Sequence, residues 1–338
     1  MDYYKHPEVS LYIGLLTSLY AGTALLISFK YSINNYIVKK LEQKSQSAGN
    51  IISGTPETLR EGIVNIPRSR AAEGAPEGLE NIKLISKHVP KHIKPLNDEQ
   101  LGYYLAGLID GNGHFSKIPQ LVIVFSSPDA FLAYLIKERL GYGSVKKVKG
   151  KNAYILVVAN KEGILRVLNL INGKLRSKHR FDQVINNILS NNKYKEFISD
   201  FTMNNSNEFD NHWFAGFSDA DGSFQVKIIH RSTRKIPEIR LNFQIDQKND
   251  SLLKFIKDHI GGNIGYRKSQ DTYYYGSTSF GSARKIIRYF DKFHLQSRKY
   301  ISYLKWRKIY LLIQDKQHIT EKGINKIIKI KSSINVHN

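Results

Sequence analysis

The chain has 338 residues and no cysteine, and its 51 Lys and Arg outnumber 29 Asp and Glu for a formal charge of +22. Lack of cysteine excludes a disulfide framework, a thiolate nucleophile and a cysteine zinc site. The charge points to a polyanionic partner, nucleic acid above all, because so many cations can neutralise phosphates; the length accommodates two packed domains or one large one. In chain order, residues 9–29 (VSLYIGLLTSLYAGTALLISF) run for 21 positions without a charge, enough to cross a bilayer. Residues 1–42 are therefore read as an apolar N-terminal segment, a membrane anchor or a leader derived from an upstream exon. The segment lacks the charged start and small-residue cleavage site of a secretory signal. Residues 43–96 turn polar and rich in Gly, Pro, Ser and charge, a composition that buries no core and reads as a linker.

Beyond the linker the chain repeats itself. Tyr104–Phe115 (YLAGLIDGNGHF) matches Trp213–Phe224 (WFAGFSDADGSF) at an offset of 109, and the stretch after Asp129 matches that after Asp250 at an offset of 121. The second copy thus carries 12 extra residues between its motif and its next helix. Period and punctuation predict the elements of each copy. A helix capped at Asn97-Asp98 ends at Asp110, and its counterpart is capped by Ser206 or Asn207. Two strands follow, then a helix (Asp129–Leu140; Asp250–Ile260). Two more strands come next (Ser144–Lys149 and Tyr154–Ala159; Asn263–Ser269 and Thr272–Thr278). Closing helices span Lys161–Ile171 in one copy, and Ser282–His294 with Arg298–Gln314 in the other. The fold class is α+β: two αββαββα halves, 97–205 and 206–338, each with a bare sheet face that favours pairing.

Ala106-Gly107 and Ala215-Gly216 occupy the same place on the two motif helices, where small residues allow helix backbones to approach. If those helices pack together, Asn112 and Asp221, each just before a terminal glycine, lie side by side. Two oxygen-bearing side chains beside a basic groove suit a hard divalent cation such as Mg²⁺, which phosphodiester hydrolysis uses to activate water and stabilise the leaving oxygen. Asp110 and Asp219 read simply as helix ends.

The doubled dodecapeptide resembles that of the LAGLIDADG homing endonucleases and their maturase relatives, in the two-repeat single-chain form. The resemblance runs from about Asp98 to Asn335, including the ending HITEKGINKIIKIKSSIN, similar to proteins encoded within organellar introns. It implies that the motif helices form the interface between halves and that a saddle of antiparallel sheets lies along a DNA major groove. It also implies a metal at Asp221 and Asn112, a polar second-strand residue at Gln247 and a basic residue at Lys299, next to Arg298. The positions aligned in the first half are Ser126 and His179, next to Lys178. Asn112 departs from the family carboxylate, so the first half looks eroded and the second complete.

The hairpins differ likewise. There are 27 residues between Gly222 and Asp250 but 15 between Gly113 and Asp129. The longer hairpin carries Gln225, Lys227, Arg231, Arg234, Lys235, Arg240 and Gln244, side chains able to read base edges or hold phosphates, with Arg267 and Lys268 beyond. The first half offers an apolar hairpin and Lys146, Lys147, Lys149 and Lys151. The expectation is a monomeric, Mg²⁺-dependent, site-specific endonuclease of the mitochondrion acting on double-stranded DNA. Its first rival is a maturase holding a group I intron RNA in a splicing-competent fold; a third reading is a non-catalytic DNA-binding regulator. Nucleic-acid affinity should fall steeply with salt, by roughly 0.7–0.9 in log affinity per phosphate contacted for each unit of log salt. A flat response in a titration series would contradict a nucleic-acid groove.

Overall fold

The computed structural model describes residues 84–197 and 200–334. The apolar segment 1–42 with its stretch 9–29, and residues 43–83 of the linker, lie outside them. The first half runs α1 (Asp98–Asn112), β1 (Gly113–Ser116), β2 (Gln120–Ser126), α2 (Ala130–Leu140), β3 (Ser144–Lys147), β4 (Ala153–Val158), α3 (Lys161–Ile171) and α4 (Lys178–Gln183), the last continued by a π-helical turn, Val184–Leu189. The second half runs α5 (Trp213–Asp221), β5 (Gly222–Ile229), β6 (Glu238–Gln247), α6 (Ser251–Ile260), β7 (Asn263–Arg267), β8 (Thr272–Ser277), α7 (Phe280–Lys292), α8 (Lys299–Gln314) and α9 (Glu321–Ser332). Each half forms one antiparallel four-stranded sheet, in the orders β1-β2-β4-β3 and β5-β6-β8-β7.

Local chemistry explains most boundaries. The Asn97 side chain accepts the Gln100 N–H at 2.9 Å and caps α1, as the sequence predicts. The cap predicted at Ser206 or Asn207 is corrected: α5 starts at Trp213, whose N–H donates to Asn211 Oδ1 at 2.9 Å. Residues 206–208 are instead held in an irregular segment, because the Arg176 guanidinium donates to the Ser206 and Glu208 carbonyls at 2.6 Å each. Alternation along the strands buries one sheet face. Leu121, Ile123, Leu156 and Val158 pack inward in the first half, and Leu241, Phe243, Ile245 and Tyr275 in the second.

Residues 84–96, read from composition as linker, are tied to the second half. Ile85 is buried and exchanges two hydrogen bonds of 3.0 Å with the Gln314 side chain. Buried Arg307, ion-paired with Asp291 at 2.9 Å, donates to the Ser86 and His88 carbonyls.

The halves meet through α1 and α5. A Cβ added to Gly107 would stand 1.9 Å from the Trp213 carbonyl oxygen, and one added to Gly216 would stand 2.0 Å from that of Tyr104. Only glycine allows this approach, and Ala106 and Ala215 beside them are fully buried. Gly216→Ala should therefore lower stability by about 2–4 kcal/mol through overpacking against rigid backbone. Urea unfolding would show this as a lowered midpoint, and an unchanged midpoint would mean the helices are not in backbone contact.

Candidate functional site

The motif helices end side by side. A Cβ on Gly111 would lie 2.3 Å from the Ala220 Cβ and 2.8 Å from Asp221 Oδ2, and the Asn112 amide nitrogen is 3.4 Å from the Ala220 carbonyl. In the second half Asp221 Oδ2 accepts the Gln247 amide at 2.6 Å. The Lys299 ammonium, at the first residue of α8, donates to the Ala220 carbonyl at 2.7 Å and the Ser218 carbonyl at 3.2 Å. Both acceptors are carbonyls of the last helical turn; that of Ser218 also accepts the Gly222 N–H. Burial pushes the Asp221 carboxyl above its ordinary value, while Lys299, Gln247 and Arg180 pull it down. Burial also lowers Lys299, against the pull of Asp219, Asp221 and Asp129. Beside this end lies a cavity of about 490 Å³ whose wall includes Asn112, Ser126, Asp129, Arg298 and Lys299.

The two aspartates read as helix ends turn out to organise both centres. Asp110, 3% exposed, accepts the Arg176 N–H at 2.9 Å and the Ser177 N–H at 3.2 Å, and from across the interface the Trp213 indole N–H at 2.8 Å. Asp219, 6% exposed, accepts the Gln296 N–H at 2.6 Å, the Ser297 N–H at 3.2 Å and, from across, the Tyr104 hydroxyl at 2.7 Å. Each aspartate thus fixes the residues leading into the helix that carries its half's cation. An aromatic opens each motif and an aspartate sits six places on, but each pairing crosses from one copy to the other.

The nucleic-acid candidates divide into groups. The β5–β6 register opposes Gln225 to Asn242, Lys227 to Arg240 and Ser223 to Gln244 on one outward face. Arg267 joins that face, donating to Asp246 at 2.9 Å with its guanidinium 4.7 Å from the Tyr274 ring centroid. Asn242, which donates to Gln225 Oε1 at 3.1 Å, belongs to the face and was not foreseen. Arg231, Arg234 and Lys235 sit in the 230–237 connection instead of alternating on the face. Arg231 and Arg240 both pair with Glu238, at 3.1 and 2.6 Å. Lys268 lies in the turn Lys268–Gln270. Lys146 and Lys147 are exposed on β3, with exposed Lys149 and Lys151 in the following turn.

Residues 214–310 match the family model described as LAGLIDADG endonuclease. The uncharacterized cox1 intron-2 37.2 kDa protein of Schizosaccharomyces pombe is 55% identical over 331 residues, 94% of this chain and 97% of its own length. The chain belongs to the LAGLIDADG endonuclease family. It is also similar to the intron-encoded DNA endonuclease aI3 of Saccharomyces cerevisiae, 28% identical over 65% of each chain. The intron-encoded RNA maturase bI4 of the same yeast is 30% identical over 63% of this chain and 33% of its own length. The crystal structure of meganuclease I-SmaMI bound to uncleaveable DNA shares the fold, with a TM-score of 0.59 at 24% identity, covering 69% of this chain and 98% of that one.

The LAGLIDADG register corrects one alignment made from sequence. Gly113 opposes Ile123 and Gly222 opposes Ile245, so the counterpart of Gln247 is Phe125 and not Ser126. Phe125 is 4% exposed, whereas the Ser126 hydroxyl turns away to Asp129 at 2.7 Å. Asp110 holds Arg176 and Ser177 as Asp219 holds Gln296 and Ser297, so His179 takes the place of Lys299, but the cation that reaches the helix end is its neighbour Arg180. The Arg180 guanidinium lies 3.4 Å from the Gly111 carbonyl, the equivalent of Ala220, while His179 pairs with Gln183. The LAGLIDADG motif thus ends in an Asp–Gln–Lys set in one half and an Asn–Phe–Arg set in the other.

Burial pushes Asp110 up to about 6 against the lowering pull of its three N–H donors. The folded state then binds the proton more tightly than the unfolded state. This contribution is complete below the ordinary value of 3.8 and is lost as pH rises through about 6, a difference of about 3 kcal/mol. His212, lowered to about 4 by burial, acts with the opposite sign in the same window. The difference between wild type and Asp110→Asn therefore isolates the aspartate. Urea midpoints measured from pH 4 to 7 should show the wild type's advantage over the variant shrinking as pH rises. A constant gap would mean that Asp110 stays ionised throughout.

Proposed function

We propose that this protein is a site-specific DNA endonuclease of intron-homing type with one working centre, in the second half. The observation that carries the reading is the convergence of Asp221, Gln247 and Lys299 at one motif-helix end, against Asn112, Phe125 and Arg180 at the other. Asp221 Oδ1 accepts no hydrogen bond among the described residues, and neither does the Asn112 amide oxygen. No cluster of three His, Asp or Glu is present among those residues. That donor set fits an ion completed by water and DNA phosphate, the habit of Mg²⁺. Mg²⁺ held by Asp221 and the Asn112 oxygen would supply water of lowered pKa and neutralise the leaving oxygen. Gln247 orients Asp221, and Lys299 fixes the Ser218 and Ala220 carbonyls while keeping a positive charge beside the carboxylate. In the first half the Arg180 guanidinium supplies charge, but the helix-end position beside it holds the amide of Asn112 in place of a carboxylate.

In this reading 97–205 and 206–338 act as the two halves of a monomer, preceded by the segment 1–42 and a linker that ends where 84–96 docks on the second half. Gln225, Lys227, Arg240, Gln244 and Arg267 face the major groove, with Arg231, Arg234, Lys235, Lys268, Lys146, Lys147, Lys149 and Lys151 on phosphates. Similarity to a cox1 intron protein supports a mitochondrial site of action. A second reading, maturase action on group I intron RNA, is favoured by the loss of one carboxylate from an intact basic frame and by similarity to a maturase.

A supercoiled plasmid carrying a duplex that the protein selects should be nicked, with linear product forming very slowly. Asp221→Asn should reduce nicking by at least about a hundredfold, since the metal contributes several kcal/mol, while leaving binding intact. Asn112→Asp alone should do little, and Asn112→Asp with Phe125→Gln should raise cleavage of the second strand. Strand-specific end labelling reads all three. Equal cutting of both strands by the natural protein would sink the single-centre reading. Splicing help that survives Asp221→Asn would support the maturase role.

A further inference from the structure

The two sheets present opposite chemistry on their outward faces. The pairing that makes Ile123 equivalent to Ile245 makes Val122 equivalent to Gln244 and Val124 to Asp246. The β2–β4 and β6–β8 registers then make Val157 equivalent to Gly276 and Ile155 to Tyr274. Where the second half offers an amide, a carboxylate and a phenol, the first half offers branched aliphatic side chains. Val124 is 41% exposed, Ile155 and Val157 are half-buried, and Val122 is tucked between them. Strand propensity alone accounts for valine in a strand, but not for a contiguous aliphatic patch on the face that its twin keeps polar. Lys146, Lys147, Lys149 and Lys151 border the patch and make no ion pair among the described residues.

An apolar strip bordered by free cations, continuous with a polar reading face, matches one ligand. A DNA major groove offers phosphates at its edges and, at thymines, a C5-methyl group at its floor. Building on the endonuclease reading, we infer that the first half reads its half-site through thymine methyl groups, using Val124, Ile155 and Val157. The second half reads by hydrogen bonds from Gln225, Arg240 and Gln244. RNA, whose uracil lacks the methyl group, is not read by the first face.

The test uses the full chain and duplexes it selects from a randomised pool, resynthesised with deoxyuridine for thymidine on one side of the centre at a time. This change keeps every base-pairing and groove hydrogen-bonding group and removes only methyls. Substitution on one side should weaken binding by about fourfold per contacted methyl, and on the other side leave it unchanged. In the Val124→Thr, Ile155→Thr double variant, which keeps β-branched side chains and Val157, the penalty should shrink. Gln244→Ala should relax base preference on the opposite side. The inference is overturned if deoxyuridine is harmless on both sides, if the penalty is undiminished in the double variant, or if it falls on the side that Gln244 reads. If the pool yields no retained duplex, or retention is indifferent to salt, the endonuclease reading itself fails and this inference falls with it.

Discussion

The contact on which the molecule depends is between backbone atoms, at Gly107 and Gly216, where α1 and α5 touch without side chains between them. That approach brings Trp213 within reach of Asp110 and Tyr104 within reach of Asp219. Each buried carboxylate therefore receives one donor from the other half and two backbone N–H groups from its own. A buried carboxylate short of donors costs several kcal/mol, so the crossed pairs are as much a requirement as a stabilisation. They also place chemistry. The N–H groups that Asp110 and Asp219 hold belong to residues 176–177 and 296–297, immediately before the helices bearing Arg180 and Lys299. Interface and cation placement are parts of one device.

The scaffold keeps its internal two-fold symmetry where packing demands it and abandons it where chemistry is exposed. Small residues, crossed donors and sheet order repeat faithfully in both halves. The helix-end triads and the outward sheet faces do not. A buried Phe125 in place of Gln247 suits a half whose centre no longer needs a carboxylate oriented. Arg180, a planar fork instead of a compact ammonium, reaches the Gly111 carbonyl at 3.4 Å and feels both Asp110 and Asp221.

The doubled motif carried the fold legibly, because glycine at a helix contact and alternation along strands leave marks that need no partner to interpret. Legibility failed where a local signal competed with a distant one. Ser206 and Asn207 look like caps, but Arg176 draws the carbonyls of Ser206 and Glu208 into an irregular segment and the helix waits for Trp213. The first half has one more residue than the second between Phe125 and its helix, SSPD against KND, and linear alignment from the helix carried that slip back into β2. Asp221, Gln247 and Lys299 were legible through resemblance. The crossed role of Asp110 and Asp219 was not, because nothing within one copy announces a donor in the other. Residues 84–96 read as linker because their anchors, Arg307 and Gln314, come from the far end of the chain.

The crossed pairs also govern the order in which the molecule can be made. Asp110 and its indole partner are 103 residues apart, roughly 5–20 s of synthesis at common elongation rates. Until Trp213 has been added, the first half leaves an apolar helix face in water, and Asp110 takes its missing donor from solvent. A slow stretch of translation between the two copies would lengthen that exposure, whereas a fast one would shorten it.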